Sequence, residues 1–318
     1  MAWGTGLGRE FDIVVVGGGI AGLTAGLTAA RLGRSTLVLT GATLGGHLIT
    51  IDKIDGYPGF PDGVPGYDLC PIAQEQAMAA GAEVAMTNVT GVVRSGDAWQ
   101  VVGEGESFVA RSVILATGTR LRDLGVQGEA NLRGHGVSQC ASCDAPLLRN
   151  QPVVVAGGGD SALQEALTLA AHCSAVTIVH HGAEYTAQSA YRTQVEAQLK
   201  ISSMPESEVV AILGEGAVTG VRIRNARTGV ETDHECAGAF VFVGLAPNVA
   251  LVPDRSIIDA SGFIATDSAL RTRVPGLLAA GTVRAGCYVR AAAASGDGAT
   301  AALTADRFLA TGDWAGVT

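Results

Sequence analysis

Cys140 and Cys143, three residues apart in QCASCDA, are the side chains of this 318-residue chain best suited to covalent chemistry. A C-x-x-C spacing brings two sulfurs within bonding distance around one turn, and a helix starting there favours the second thiol as thiolate. Three readings compete on spacing alone: a redox pair, half of a zinc site, or two inert buried thiols. A zinc site needs two more ligands, and the sequence holds no second C-x-x-C and no H-x-x-x-H. Asp144 follows the pair, placed either to exchange a proton with a leaving thiolate or to meet the dipole of a starting helix. His135, just upstream, either tunes the thiols or is a solvated loop histidine.

Phosphate chemistry is suggested at two other places. In G-x-G-x-x-G the first glycine permits a tight turn, the second lets backbone N–H groups approach a pyrophosphate, and the third lets the helix pack on the strand. Gly17, Gly19 and Gly22 supply all three between a β-rich run (Phe11 to Val16) and a small-residue helix (Leu23 to Leu32). The pattern returns 140 residues later at Gly157, Gly159 and Ala162, alanine being tolerated in the third place. A dinucleotide site beside a C-x-x-C in one chain favours the redox reading.

These groups need elements to hold them. Strand, glycine turn, helix and strand (Ser35 to Leu39) make a βαβ unit, and Val153 to His180 repeats it, so the chain is expected to contain two nucleotide-binding folds. A helix and short alternating strands follow each: Gln74 to Ala80, then a meander over Glu83 to Val102 and Ser107 to Ala110; and Gln188 to Lys200, then Val209 to Ile223 with Glu231 to Val243. An Ala-rich helix from Ala291 to about Leu309 has no counterpart in the second half and is assigned to the first. The expected fold class is α/β with two Rossmann-like three-layer domains: residues 1–119 and 248–318, interrupted by 120–247. Glycine, at 44 of 318 residues or about 14%, is near twice its ordinary share and shows no collagen period, which places it in turns and ligand-facing loops.

Composition narrows the function classes. With 47% apolar and 16% charged residues the chain is too apolar for disorder. Its net charge of -9 repels nucleic acid and anionic membrane surfaces. Ile13 to Ala30 is uncharged for 18 residues, the minimum for a membrane span, but Gly17, Gly18, Gly19 and Gly22 argue for strand, turn and helix. Six cysteines are too sparse for a secreted disulfide framework, and Arg9, Glu10 and Asp12 before the first apolar run do not suit a signal peptide, so a reducing, cytoplasmic setting is expected.

Taken in order, VVVGGGIAGLTA, LTGATLGGHL, YPGFPDG, VILATGT, GHGVSQCASCDA, VVVAGGGDSALQEAL, VFVGLAPN, LLAAGTVRAG and ASGDGATAAL resemble the low-molecular-weight thioredoxin reductases, within the pyridine nucleotide-disulfide oxidoreductases, almost end to end. The resemblance implies FAD on the first unit, NADPH on the second, a homodimer, and a thioredoxin-like protein or small dithiol or disulfide as partner. It implies that Gly17, Gly19, Ile20, Ala21 and Gly22 hold the flavin nucleotide together with Gly46, His47, Leu48, Ala116, Thr117, Gly118, Gly281, Thr282, Arg290 and Ala291. A second nucleotide would use Gly157, Gly159, Asp160, Ser161 and Ala162, with His180 and His181. By the same resemblance Cys143 faces the flavin, Cys140 attacks the partner disulfide and Asp144 gives the proton.

The departures from the family pattern bear on the electron donor. Where the family has V-H-R-R and a further arginine for the 2′-phosphate of NADPH, this chain has Val179, His180, His181, Gly182 and Thr186; every one of those arginines is absent. Glu184, four residues past the strand, is poorly placed to serve an NADH ribose. Near the C-terminus the family's A-A-G-D ends in Thr282, its R-Q-A reads Val289-Arg290-Ala291, and the glutamine of G-G-Q-L is His47. The expected function is FAD-dependent thiol-disulfide exchange with NADPH or NADH doubtful as donor. The alternatives are a relative fed by ferredoxin or another donor, a dithiol oxidase, and a non-catalytic binding paralogue. Asp144 disfavours the oxidase, whose members look to carry histidine there, and retention of the C-x-x-C counts against the paralogue.

Overall fold

A computed structural model of the chain describes residues 8–314; residues 1–7 and 315–318, the outer ends of the expected first domain, lie outside the described residues. The chain divides into two compact units, one running through Arg120 and resuming at Pro247, the other Leu121–Ala246.

In the first unit the apolar run forms β1 (Arg9–Val16), the glycine turn follows, and α1 (Ile20–Arg31) leads to β2 (Thr36–Leu39), parallel to β1. The uncharged stretch is therefore strand, turn and helix, and among the described residues no helix is long and apolar enough to cross a membrane. The next helix, α2 (Gly66–Ala79), starts eight residues before the expected Gln74 and contains Pro71. Burial of Leu69 and Cys70 in the core cluster shared with α1 outweighs the missing proline N–H. The expected meander is also shorter. β3 (Glu83–Ala85) pairs in parallel with β2, so the antiparallel part is only β4 (Val89–Ser95), β5 (Ala98–Gly103) and the start of β6 (Ser107–Leu115). β6 continues into the parallel sheet beside β1, which makes the meander edge and the VIL segment one strand. β7 (Thr119–Leu121) follows.

The second unit contains β8 (Val137–Ser138), α3 (Ala141–Asp144), β9 (Pro152–Ala156), α4 (Asp160–His172), β10 (Ala175–Val179), α5 (Ser189–Ala197) and β11 (Ile201–Met204). β12 (Ser207–Leu213), β13 (Gly220–Asn225), β14 (Glu231–Glu235) and β15 (Gly238–Val241) complete it. Its parallel sheet runs β11-β10-β9-β15-β8, and β12-β13-β14 form an antiparallel sheet. The expected strand pattern over Glu231 to Val243 therefore splits. The exposed β14 stays in the meander, while β15, buried throughout, joins the parallel sheet.

The returning chain adds β16 (Leu245–Pro247), β17 (Leu277–Ala279) and α6 (Ala291–Thr311). β17 extends the first sheet alongside β6, and α6 packs on α1. That packing depends on Gly298, where a Cβ would stand 2.1 Å from Ala21 O. The core of each unit is aliphatic, with Leu23, Leu37 and Ile114 fully buried in the first and Leu163, Leu169 and Phe240 in the second. Each such side chain contributes about 1.5–3 kcal/mol of burial free energy.

Candidate active site

In the first unit the chain gathers its expected flavin residues at the carboxyl ends of β1, β6 and β17, the edge where open α/β sheets bind ligands. Gly17, at φ +126°, lies against the end of β6, where a Cβ would be 2.2 Å from Ala116 O. At Gly22 a Cβ would be 1.8 Å from Gly17 O, so the turn can close only on glycine. Gly19 differs from both: a Cβ there would meet nothing within 4 Å, leaving the turn open on that side. Gly19 also begins α1 with no side-chain cap and no acid in the first turn, so the amides of Ile20, Ala21 and Gly22 start the helix facing no carboxylate of its own. These features fit a dinucleotide pyrophosphate.

Other segments converge on the same place. Gly281 approaches Ala21, whose Cβ would be 2.9 Å from a Cβ at 281. Gly46, in the 3-10 turn with His47 and Leu48, lies over Gly19, its own Cβ position 3.7 Å from Gly19 Cα. Thr117 donates its hydroxyl to Asn248 O at 2.7 Å and its carbonyl accepts from Asn248 Nδ2 at 2.9 Å. Thr282, beside Gly118, shares a 3.1 Å hydrogen bond with Thr119, a neutral hydroxyl pair where the family pattern has a carboxylate. Arg290 caps the start of α6 and is exposed; Ala291 behind it is buried. Sequence reasoning missed Asp297, which accepts from Gly281 N at 3.0 Å and holds Arg284 through two 2.7 Å hydrogen bonds. The GDG triplet around it was the available signal.

The second unit repeats the turn. Gly157 has φ +134° and its Cβ would be 2.2 Å from Phe242 O, as at Gly17. Buried Ala162 stands in the third glycine's place. Unlike α1, α4 carries an acid in its first turn, Asp160, which accepts from Gln188 N at 2.7 Å and from its side-chain amide at 3.1 Å. Ser161 follows it. Past β10, His180 is only 4% exposed. Its Nε2 is 3.1 Å from Ser203 Oγ, its Nδ1 has no partner, and its ring centroid is 4.4 Å from that of Tyr185. Burial, then the neighbouring His181, pushes its pKa below the ordinary 6.5, so it is neutral at pH 7. His181 and Thr186 are exposed, and Thr186 bonds back to Gly158 O.

Cys140 and Cys143 form a disulfide in this unit, with Cα atoms 5.3 Å apart. Cys140 is the N-cap of α3 and its Sγ accepts from Cys143 N at 3.3 Å. The expectation that the second thiol gains from the helix start concerns the reduced pair; in the disulfide the amide is on the first sulfur. The helix begins one residue after Cys140, so the first sulfur receives the free amide. Ser142 Oγ lies 3.5 Å from the same sulfur, and Ser138 Oγ accepts from Cys140 N at 3.0 Å and donates to its carbonyl at 3.2 Å. Cys143 is exposed, Asp144 closes α3, and His135 is exposed on its loop. A further contact had no sequence signal beyond its place in ALQEAL: Ala141 N donates to Glu165 Oε2 at 2.7 Å. The other cysteines suit exchange poorly, since burial pushes Cys70 and Cys236 up to about 11 and Cys287, with Asp297 beside it, to about 12.

Residues 11–298 match the family described as pyridine nucleotide-disulphide oxidoreductase. Over 302 residues the chain is 36% identical to the thioredoxin reductase of Treponema pallidum, covering 95% of this chain and 98% of that one. It is 40% identical over 301 residues to the bifunctional thioredoxin reductase/thioredoxin of Mycobacterium leprae, covering 94% of this chain and 66% of that longer protein. The crystal structure of Lactococcus lactis thioredoxin reductase in its FR conformation matches with a TM-score of 0.92 at 36% identity, over 94% of this chain and 99% of that one.

Proposed function

This chain belongs to the pyridine nucleotide-disulphide oxidoreductases and is an FAD-dependent disulfide oxidoreductase of the thioredoxin reductase kind, and from that premise we propose that it reduces a partner disulfide through Cys140 and Cys143 with a donor other than NADPH. FAD belongs to residues 1–119 and 248–318, where the open Gly19 turn supports it. Residues 120–247 carry the thiol pair on a Rossmann frame with a weakened nucleotide site. FAD, when bound, supplies the two-electron carrier that recharges the disulfide.

The chain's own residues account for the exchange. The reduced Cys140 thiolate, held by the Cys143 amide, attacks one sulfur of the partner disulfide and joins it in a mixed disulfide. The leaving partner thiolate takes a proton from Asp144. Cys143 then gives up its proton and attacks Cys140 sulfur, which breaks the mixed disulfide and restores the Cys140–Cys143 bond; the partner's second sulfur leaves as thiolate and takes up that proton, so two electrons and two protons have passed to the partner. The single observation that carries this reading is the amide on Cys140 Sγ, which supports the first cysteine as the attacking thiolate and the second as the resolving one.

The donor reading rests on the absence of arginine at His181, Gly182 and Thr186 and on a neutral, buried His180. A dithiol or another reduced protein is the better source. A relative that joins reductase and thioredoxin in one chain supports a thioredoxin-like partner. The family resemblance supports a homodimer and a cytoplasmic setting, and the net charge of -9 argues against nucleic acid and anionic membranes as partners.

The test is the visible spectrum of the purified protein, taken anaerobically before and after NADPH, NADH or a dithiol. Yellow protein bleached by the dithiol and only slowly by either pyridine nucleotide is expected. Colourless protein that takes up no FAD on reconstitution would overturn the enzymatic reading.

A further inference from the structure

We propose that Glu165 is a positioning residue that keeps the Cys140–Cys143 pair strongly reducing. This inference rests on the thiol chemistry proposed above. The 2.7 Å bond from Ala141 N to Glu165 Oε2 ties the first residue of the redox helix to α4, five residues beyond Asp160 of the glycine turn. Ala141 lies between the two cysteines, so the contact fixes the backbone that carries both sulfurs. A neutral amide side chain accepts an N–H equally well. The carboxylate adds a negative charge, in a place where the helix start would otherwise favour an anion.

That charge matters once the disulfide opens. Reduction breaks the Cys140–Cys143 bond, adds two electrons and two protons from two glutathione thiols, and leaves glutathione disulfide. The new Cys140 thiol has the Cys143 amide at 3.3 Å and the Ser142 hydroxyl at 3.5 Å to stabilise its thiolate. The Glu165 carboxylate, brought to the turn from α4, opposes it as a like charge. A dithiol whose thiolate is less favoured gives up its electrons more readily, so the couple moves toward the reducing end. Ser138, which clamps both backbone groups of Cys140, holds the turn in position without charge.

The test compares holoenzyme with Glu165→Gln, Glu165→Asp and Glu165→Ala. Each is equilibrated anaerobically with glutathione buffers, and trapped thiols are counted on the peptide holding residues 140–143. Flavin absorbance and Tm serve as folding controls. Glu165→Gln keeps an acceptor and loses the charge; it should shift the equilibrium about tenfold toward dithiol, about 30 mV for this two-electron couple. Its thiolate absorbance should also rise at a lower pH than in the wild type. Glu165→Asp, which keeps the charge, should stay close to the wild type. A Glu165→Gln equilibrium within twofold of wild type overturns the proposal, and so does a shift in Glu165→Ala alone, which makes the contact purely structural. A tenfold shift in Glu165→Asp overturns it too, and that measurement decides the matter if Glu165→Gln does not fold. A wild-type pair that never exchanges with glutathione overturns the thiol reading itself, and this inference with it.

Discussion

Putting back two arginines should turn the second nucleotide site toward NADPH. His181 and Thr186 are exposed and occupy two of the three family arginine positions. Gly182, the third, is a poor choice because a Cβ there would stand 2.9 Å from Glu184 O. His180 cannot be recruited, since it is buried against Tyr185 and Ser203 and held neutral. A charge-assisted hydrogen bond contributes about 1.5–3 kcal/mol, so two guanidinium groups on one phosphate contribute about 3–6 kcal/mol, a gain of about a hundredfold or more. The exposed Glu184 opposes part of this, although Arg192 Nη1 lies 3.8 Å from its carboxylate. Affinity for NADP+ and NAD+ is measured by calorimetry, and flavin bleaching by NADPH and NADH in an anaerobic stopped flow. The wild type is expected to react slowly with both and to prefer neither. The double variant His181→Arg/Thr186→Arg should gain at least a hundredfold for NADP+ and little for NAD+. Rapid bleaching of the wild type by micromolar NADPH with NADH far slower would refute the reasoning, because some other residue would then be holding the phosphate.

Gly22→Ala should give protein that loses its flavin, since the added carbon would stand 1.8 Å from Gly17 O; absorbance of the purified variant checks this, and full FAD content would contradict it. Cys143→Ser should abolish electron exchange between flavin and disulfide, whereas Cys140→Ser should leave Cys143 able to perturb the flavin spectrum; the opposite pattern inverts the assignment. Because burial lowers the folded-state pKa of His180, the unfolded chain binds the proton more tightly. Stability should therefore be full above the ordinary 6.5 and fall as pH drops below it toward the folded value, and His180→Gln should flatten that acid limb in thermal melts. An unchanged limb would show that other groups carry it.

Much of this architecture was legible because glycine spacing is a backbone signal. Gly17, Gly19 and Gly22 between an apolar strand and a small-residue helix define a turn with almost no alternative, and the repeat at Gly157 carried the second unit. The sheet edges were less legible. Glu83–Ala85 alternates like a meander strand but lies beside β2, and Gly238–Val241 follows the exposed β14 closely yet joins the parallel sheet. A three- or four-residue strand has too few positions for period alone to separate parallel from antiparallel pairing. Pro71 hid the first two turns of α2, because local propensity argues against the helix that burial of Leu69 and Cys70 requires. The contacts of Asp297 and Glu165 were illegible, since each joins segments whose distance in space the sequence does not record.

The two glycine turns separate what the fold supplies from what the side chains decide. Gly17 and Gly157 have nearly the same φ, and each sets its Cβ position 2.2 Å from the carbonyl that ends or follows a neighbouring strand. The backbone cradle is therefore common to both units. The differences are in the side chains around it. α1 opens with no acid, whereas α4 opens with Asp160; Gly22 closes the first turn tightly, whereas Ala162 occupies that place in the second. Behind the second glycine stands Thr40 in the first unit, its Cβ 2.4 Å from a Cβ at Gly18, and the wider His180 in the second, 2.9 Å from a Cβ at Gly158. A buried histidine ring without a free charge ends β10 at the point where a Rossmann unit selects its ribose or phosphate. The two repeats thus share a backbone cradle and differ in the charge and width of the side chains around it, and the second unit also carries the thiol pair on its first short helix.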